Sequence, residues 1–394
     1  MPTERLFLAD SLLFEFDARV VAVQGSAVVL DRTAMYPEGG GQLADRGDLR
    51  WSGGKGQVID VQIDDAGVVR HVLEEAPLGL AVGASLSGRV DERWRRERMS
   101  QHTGQHMLSA AVLEISRAET VSSRLGKEAS TLDLSVEKLS DRELAQAEDA
   151  VNDAVLEDRT VRLLLPTPEE LARLPLRRAP KVTENVRLVE IDGFDLSPCG
   201  GTHCVRTGQV GTLRITGTER YKGGTRVTFL TGWHALADYR AKDGALRELA
   251  RGFSCGPLDV PANVGKLRTE LETRMKDAGA ARGELVALLS ERILAAHPPD
   301  ASGTTRIVVA RSGADVGSAR ALAGALGRRP DVVAIVVAVA SEGDSTVVVE
   351  RGTSATFDAG GWLKGRLAEL GGRGGGRPER AEGRLPAGVD PSSL

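Results

Sequence analysis

Over residues 1 to 90 apolar and polar positions alternate in short runs: Leu13 to Val23, Ala27 to Leu30, Gln57 to Ile63, Val68 to Leu73 and Ser85 to Val90. A period of two, punctuated by Gly and Asp, predicts the strands of a small antiparallel β-barrel. At Asp91 the period lengthens. Trp94, Arg98, Met99, His102, His106, Ala110 and Leu113 recur at helical spacing as far as about Glu114. Asp141 to Leu156 predicts a second helix with Leu144, Ala147, Val151 and Val155 on one face. Ser130 to Ser135 reads as a strand, and Val186 to Val227 returns to strands around a loop holding Cys199 and His203. Residues 91–235 are therefore expected to form an α+β domain.

Between Pro261 and His297 the residues Val264, Leu267, Leu271, Met275, Ala278, Leu285, Leu289 and Ile293 keep near-heptad spacing. This predicts a long helix or helical hairpin within residues 236–298, either an ordinary linker helix or a coiled coil forming a homodimer. HPPDASG, from His297 to Gly303, breaks the composition and opens a last domain over 299–394. Strands Arg306 to Ala310, Val332 to Ala340 and Thr346 to Val349 around a helix from Val316 to Leu326 make it α/β. The final GGRGGGRPERAEGR, Gly371 to Arg384, is too rich in glycine for a helix interior. The fold expected is thus α+β and multidomain: barrel, α+β domain, helical linker and C-terminal α/β domain.

Length and composition narrow the class. A chain of 394 residues allows two to three domains of about 150, and 41% hydrophobic with 27% charged residues is a globular balance. No run approaches 18 apolar residues, and acids at Glu4, Asp10, Glu15 and Asp17 are unlike a signal or transit peptide, so a cytoplasmic protein away from membranes is expected. The net charge of -4 speaks against a broad nucleic-acid field, yet 42 of the 51 basic residues are arginine. That bias fits a local phosphate-binding patch or simply a genome's base composition.

Three cysteines cannot form a disulfide framework. His102 and His106 stand at i and i+4 in QHTGQH, on one helix face, and SPCGGTHC offers Cys199 and His203 around two glycines. Either pair alone is weak. Together they take four of the nine histidines and cysteines, and nitrogen and thiolate donors suit zinc better than magnesium or calcium. Cys204, next to His203, reads as a small buried side chain pointing away. In DRTAMYPEGGGQLADRG, the run Gly39, Gly40 and Gly41 would weaken a strand, so either a ligand approaches the backbone closely or a wide hairpin turns there. Thr33 could place a hydroxyl, and Gln42 an amide, beside that approach. Each could equally be an ordinary strand-end or loop residue.

TAMYPEGGGQ, HTGQH and CGGTHC, in this order and spacing, resemble the editing domain of alanyl-tRNA synthetase and its free-standing relatives, the alanyl-tRNA editing proteins of AlaX type. The resemblance covers roughly residues 5 to 235. The last domain is similar to the C-terminal RNA-binding domain shared by alanyl-tRNA synthetases and DHH-type phosphoesterases, which matches the long AlaX form. No room is left for an aminoacylation domain, so a free-standing editor is expected. By this resemblance zinc falls on His102, His106, Cys199 and His203, and the threonine associated with recognising a serine hydroxyl falls on Thr33. Met35 stands where an aromatic is usual and Leu43 where proline is frequent. The reaction implied is zinc-dependent hydrolysis of serine or glycine from tRNA(Ala). Gly39, Gly40 and Gly41 would lie against the substrate, Thr33 and Gln42 would act in catalysis, and Arg373, Arg377 and Arg380 would bind tRNA. Two other readings stay open: a zinc hydrolase of small esters or amides, and a tRNA-binding module with a structural zinc.

Overall fold

The computed structural model describes residues 2–180, 185–299 and 303–394, so part of the boundary expected at His297 to Gly303 lies outside the described residues. Two compact units result, Met1–Glu248 and Leu249–Leu394.

In the first unit, β1 (Glu4–Arg5) precedes β2 (Glu15–Gln24), β3 (Ala27–Leu30), β4 (Arg32–Thr33), β5 (Gly47–Trp51), β6 (Gly54–Ile63), β7 (Val69–Leu73) and β8 (Ser85–Val90). The six longer strands close a barrel in the order β2-β3-β7-β6-β5-β8, while β1 and β4 pair separately. Alternation works as expected in β8, where Leu86, Gly88 and Val90 face inward between exposed neighbours. Val28, Leu30, Met35, Leu49, Val58, Val61, Val69 and Leu73 fill the interior. Strand β5 was hidden in the pattern because only Leu49 of its residues is fully buried. It forms because closure requires a partner for both β6 and β8.

Helix α1 (Glu92–Ser116) is capped by the Asp91 side chain, which accepts from the Trp94 amide, and ends at Arg117 in a left-handed conformation. Strands β9 (Thr120–Leu125) and β10 (Ser130–Leu134) follow, then α2 (Asp141–Leu156), held at its start by a Ser140 and Glu143 capping box. Next come β11 (Val161–Leu164), the short α3 (Pro168–Leu171), β12 (Leu188–Ile191), β13 (Asp195–Pro198), β14 (Leu213–Tyr221) and β15 (Gly224–Thr231). They make a four-stranded sheet, β14-β15-β10-β9, and a three-stranded one, β11-β12-β13. Met107, Leu108 and Val112 of α1 pack with Ala147 and Val151 of α2 and with Val227 and Phe229 of β15. Helix α4 (Gly232–Gly252) leads out of this unit.

The second unit opens with α5 (Val260–Ala296), a single 37-residue helix rather than a hairpin. Val286, Leu289, Ile293 and Leu294 pack on the core of that unit, whereas Val264, Leu267, Leu271 and Met275 stay exposed. The sheet that follows has strands β16 (Thr305–Ser312), β17 (Val332–Val339), β18 (Ser345–Arg351), β19 (Arg373–Gly376) and β20 (Arg380–Leu385) in the order β16-β17-β18-β20-β19. Helix α6 (Val316–Leu326) connects the parallel pair β16 and β17, and α7 (Ala359–Glu369) precedes the terminal hairpin. Here the glycine-rich tail is structured. A Cβ on Gly374 would stand 2.6 Å, and on Gly383 2.2 Å, from Leu367 Cδ1, so the glycines let α7 lie directly on the hairpin. Close approach of helix to strand therefore explains these glycines without any phosphate.

A buried ion pair joins α1 to the barrel side. Arg95 and Asp45 are both fully buried; Arg95 Nε donates to both carboxylate oxygens at 3.0 Å, Nη1 to Ser11 O at 2.8 Å and Nη2 to Ala34 O at 2.6 Å. Asp45 also accepts from the Tyr36 amide. Asp45→Ala would strand a buried guanidinium and should destabilise the first unit by about 3 to 5 kcal/mol in urea unfolding.

Candidate metal centre

The ligand atoms of His102, His106, Cys199 and His203 lie within 4.8 Å of one another. Helix α1 supplies the first two, one turn apart; the loop after β13 supplies the others. Cys199 Sγ stands 3.3 Å from His102 Nε2 and 3.2 Å from His203 Nε2. The three imidazoles are buried and Cys199 is half-buried.

Each imidazole uses its other nitrogen to meet an oxygen. His102 Nδ1 lies 2.7 Å from Gln42 Oε1, and His203 Nδ1 lies 3.2 Å from Thr103 Oγ1. His106 Nδ1 lies 3.1 Å from Asp195 Oδ2 and 2.9 Å from Ser197 Oγ. With Nδ1 protonated against these acceptors, each Nε2 keeps a lone pair turned inward, the outer-shell arrangement that orients metal-binding histidines. The residues fit a metal ion, and their donor chemistry is consistent with zinc.

Electrostatics agree. Burial opposes the Cys199 thiolate, but the three imidazoles around it outweigh that cost and hold the thiol well below its ordinary value. Burial, reinforced by His102, pushes His203 down to about 3, so it is a neutral imidazole. For His106 burial works downward, and the Cys199 and Asp195 charges overcome it and raise the value. Burial likewise opposes the Asp195 charge, yet hydrogen bonds from His106 and Arg177 keep this carboxyl well below the usual range.

The other expected site residues have separate settings. Gln42 is fully buried. Its Oε1 also accepts from the Thr202 amide at 3.2 Å, and its Nε2 donates to Thr202 Oγ1 at 2.8 Å. It reaches the cluster through His102, which makes it an orienting residue. Gly39 and Gln42 close a tight turn through reciprocal amide-to-carbonyl bonds of 3.1 and 2.9 Å, with φ of 58° at Gly40 and 86° at Gly41. A Cβ on Gly41 would meet Ser123 O at 2.5 Å, so strand β9 of this same chain is what approaches that glycine. Thr33 is fully buried in β4. Its hydroxyl lies 2.8 Å from His71 Nε2 and accepts from the Met35 amide at 3.0 Å. Met35 packs inside the barrel. Cys204 packs in the core beneath α1, and burial pushes its thiol up to about 12. In the second unit Arg373, Arg377 and Arg380 are exposed, while Glu379 pairs with Arg351 at 3.3 Å and Glu382 with Arg320 at 2.7 Å. Glu379 and Glu382 thus pair with other arginines, while Arg380 Nε itself lies 3.8 Å from Glu350 Oε2.

Asp195, Ser197, Thr103, Thr202 and His71 were missed as partners. One signal was present: Asp195, Ser197 and Cys199 stand at i, i+2 and i+4, on one side of an extended run. Thr103 and Thr202 sit inside the two ligand motifs.

Three family models match the chain: tRNA synthetases class II (A) over residues 7–94, the threonyl and alanyl tRNA synthetase second additional domain over 186–228, and the DHHA1 domain over 304–391. The chain is related to alanyl-tRNA synthetase. It is 32% identical to the alanine–tRNA ligase of Methanopyrus kandleri, over 100% of this chain and 44% of that protein. The alanine–tRNA ligases of Ignicoccus hospitalis and Pyrococcus abyssi are 31% and 32% identical over 96% and 97% of this chain and 41% and 42% of their own lengths. The chain therefore spans less than half of these curated relatives. A crystal structure of the C-Ala domain of Aquifex aeolicus alanyl-tRNA synthetase is similar over 23% of this chain, with 20% identity and a TM-score of 0.22. Among the described residues no helix is long and apolar enough to cross a membrane.

Two measurements follow. Asp195→Asn weakens the acceptor behind His106 and should lower zinc affinity by about 10- to 100-fold in chelator competition. His71 is held by burial at about 4, against an opposing hydrogen bond to the Val28 carbonyl. Between 6.5 and 4 the unfolded chain takes up a proton that folded His71 refuses. Stability from this group is complete above 6.5 and is lost as the pH falls through that window, by about 3 kcal/mol. Urea unfolding of wild type and His71→Gln across the window should show a shallower pH slope for the variant.

Proposed function

We propose that the protein is a cytoplasmic trans-editing hydrolase that removes serine or glycine from mischarged tRNA(Ala) at a zinc-containing site. The observation that carries this reading is the His102, His106, Cys199 and His203 cluster with all three outer imidazole nitrogens engaged. Zinc held by His102, His106, Cys199 and His203 would supply Lewis acidity for cleavage of an ester. Gln42, Asp195 and Thr103 hold the imidazoles in one tautomer and orientation, so little reorganisation is needed when substrate arrives. Exposed Gly40 and Gly41, next in sequence to Gln42, offer backbone against the aminoacyl end. An aminoacyl ester is already activated, and positioning it correctly supplies much of the rate.

Discrimination falls to Thr33 in this reading. A site that bonds a serine hydroxyl leaves a group unpaired when alanine enters, which penalises alanine. With its hydroxyl donating to His71 and accepting from the Met35 amide, Thr33 retains one oxygen lone pair for such a bond. In the second unit the exposed Arg373, Arg377 and Arg380 take the tRNA body through phosphate contacts. A complete set of four protein ligands favours a second reading, a tRNA-binding module whose zinc is structural.

One assay separates them. Deacylation of Ser-tRNA(Ala), Ala-tRNA(Ala) and a simple seryl ester should show strong preference for the first, with about one zinc per chain. His106→Ala or Cys199→Ala should abolish metal and deacylation together. Thr33→Val should reduce the serine-over-alanine preference by about 1 to 2 kcal/mol, and Thr33→Ser should keep it. Metal retention with no deacylation by the wild-type protein would establish the structural-zinc reading instead.

A further inference from the structure

The loop CGGTH, Cys199 to His203, has to deliver a thiolate and an imidazole to one point, yet its middle is Gly200 and Gly201, the least self-ordered backbone available. Gly201 admits no side chain, because a Cβ there would stand 2.1 Å from His102 Cε1. Whatever orders this loop must therefore grip its main chain from outside. Arg187 does so from both ends of its own structure. Its carbonyl accepts from the Cys199 amide at 3.0 Å, while Nη1 donates to Cys199 O at 2.7 Å and Gly201 O at 2.9 Å. Two carbonyls converging on one guanidinium nitrogen fix the peptide planes that enter and leave the Gly200–Gly201 pair.

The same arginine reaches outward. Its Nε donates to Leu8 O at 3.0 Å, at the end of the turn Leu6–Leu8. Three residues on, Ser11 Oγ accepts from the His203 amide at 3.3 Å, and Ser11 O accepts from Arg95. The segment from Leu6 to Ser11 thus braces the loop at both ligands. Packing alone does not account for Arg187. The residue is 8% exposed, and its Nη2 has no hydrogen-bond partner among the described residues, so an apolar side chain would avoid an unsatisfied buried donor.

We infer that Arg187 is the positioning residue of the metal-binding loop, holding Cys199 and His203 at coordinating distance by clamping the carbonyls on both sides of Gly200 and anchoring them to the Leu6 to Ser11 segment. Gln42, Asp195 and Thr103 aim individual imidazoles; Arg187 sets the arm that carries the thiolate. This rests on the metal-binding reading of the four ligands.

The test uses full-length protein carrying Cys255→Ser, which removes the half-buried thiol outside the site, stripped of metal and titrated with Co2+. The cobalt-to-thiolate absorption band reports Cys199 coordination directly. Wild type should bind one Co2+ with this band. Arg187→Met should melt like wild type without metal but bind Co2+ about tenfold or more weakly, with Arg187→Lys, which keeps the charge and one donor group, in between. Equal cobalt affinity and band for wild type and Arg187→Met would overturn the proposal. So would a loss of affinity that merely tracks lower metal-free stability, or a failure of both variants to fold, since either would make Arg187 a residue of the fold at large. If wild type itself takes up no cobalt, the metal-binding reading has failed and Arg187 falls with it.

Discussion

Helix α1 runs through the interior of the first unit with polar side chains on its buried faces, and every one of them has to find a partner there. Burial alone cannot stabilise such a helix, because an unpaired buried donor costs about as much as a good hydrogen bond contributes. The partners come from separate parts of the chain. Arg95 is met by Asp45 and by carbonyls of Ser11 and Ala34, Ser100 by Val210 O and Thr231, His102 by Gln42, Thr103 by His203, and His106 by Asp195 and Ser197. Barrel, N-terminal segment, ligand loop and sheet are therefore drawn to one helix by its hydrogen-bonding needs, and the candidate metal centre lies where those demands are densest.

This arrangement orders the candidate centre through hydrogen bonds of the protein itself. The imidazoles are turned by fixed acceptors, and together they hold the Cys199 thiol below its ordinary value against the effect of burial. Removing Gln42 or Thr103 would take away the oxygen that meets His102 or His203, whereas His106 Nδ1 meets both Asp195 and Ser197. The same logic places the glycines. Gly41 against Ser123, Gly201 against His102 and Gly374 against Leu367 all mark places where this chain touches itself too closely for a Cβ. At these positions the chain's contact with itself accounts for the glycine.

Much of this could be read in one dimension. Periods of two and of 3.6 announced most barrel strands, the α1 and α2 helices and the βαβ pattern of the second unit, since amphipathic periodicity survives whatever the element packs on. Strands β5, β9 and β11 escaped because each buries at most one or two residues completely, and β19 escaped because glycine carries no pattern at all. The heptad-like spacing of α5 was real but underdetermined: Val286, Leu289, Ile293 and Leu294 found a core to pack on, while Val264, Leu267, Leu271 and Met275 stayed exposed.

What the sequence determined by itself was the identity and spacing of the donors, two histidines a helical turn apart and a cysteine and histidine across two glycines, because ligand chemistry and local spacing are properties of short segments. What the tertiary structure decided was which oxygens stand behind those donors and which backbone is gripped. Gln42 lies 60 residues from His102, Asp195 lies 89 from His106, and Leu8 lies 179 from Arg187. No local rule links such positions. They are brought together by the closure of a barrel and the burial of a polar helix, and both are long-range events.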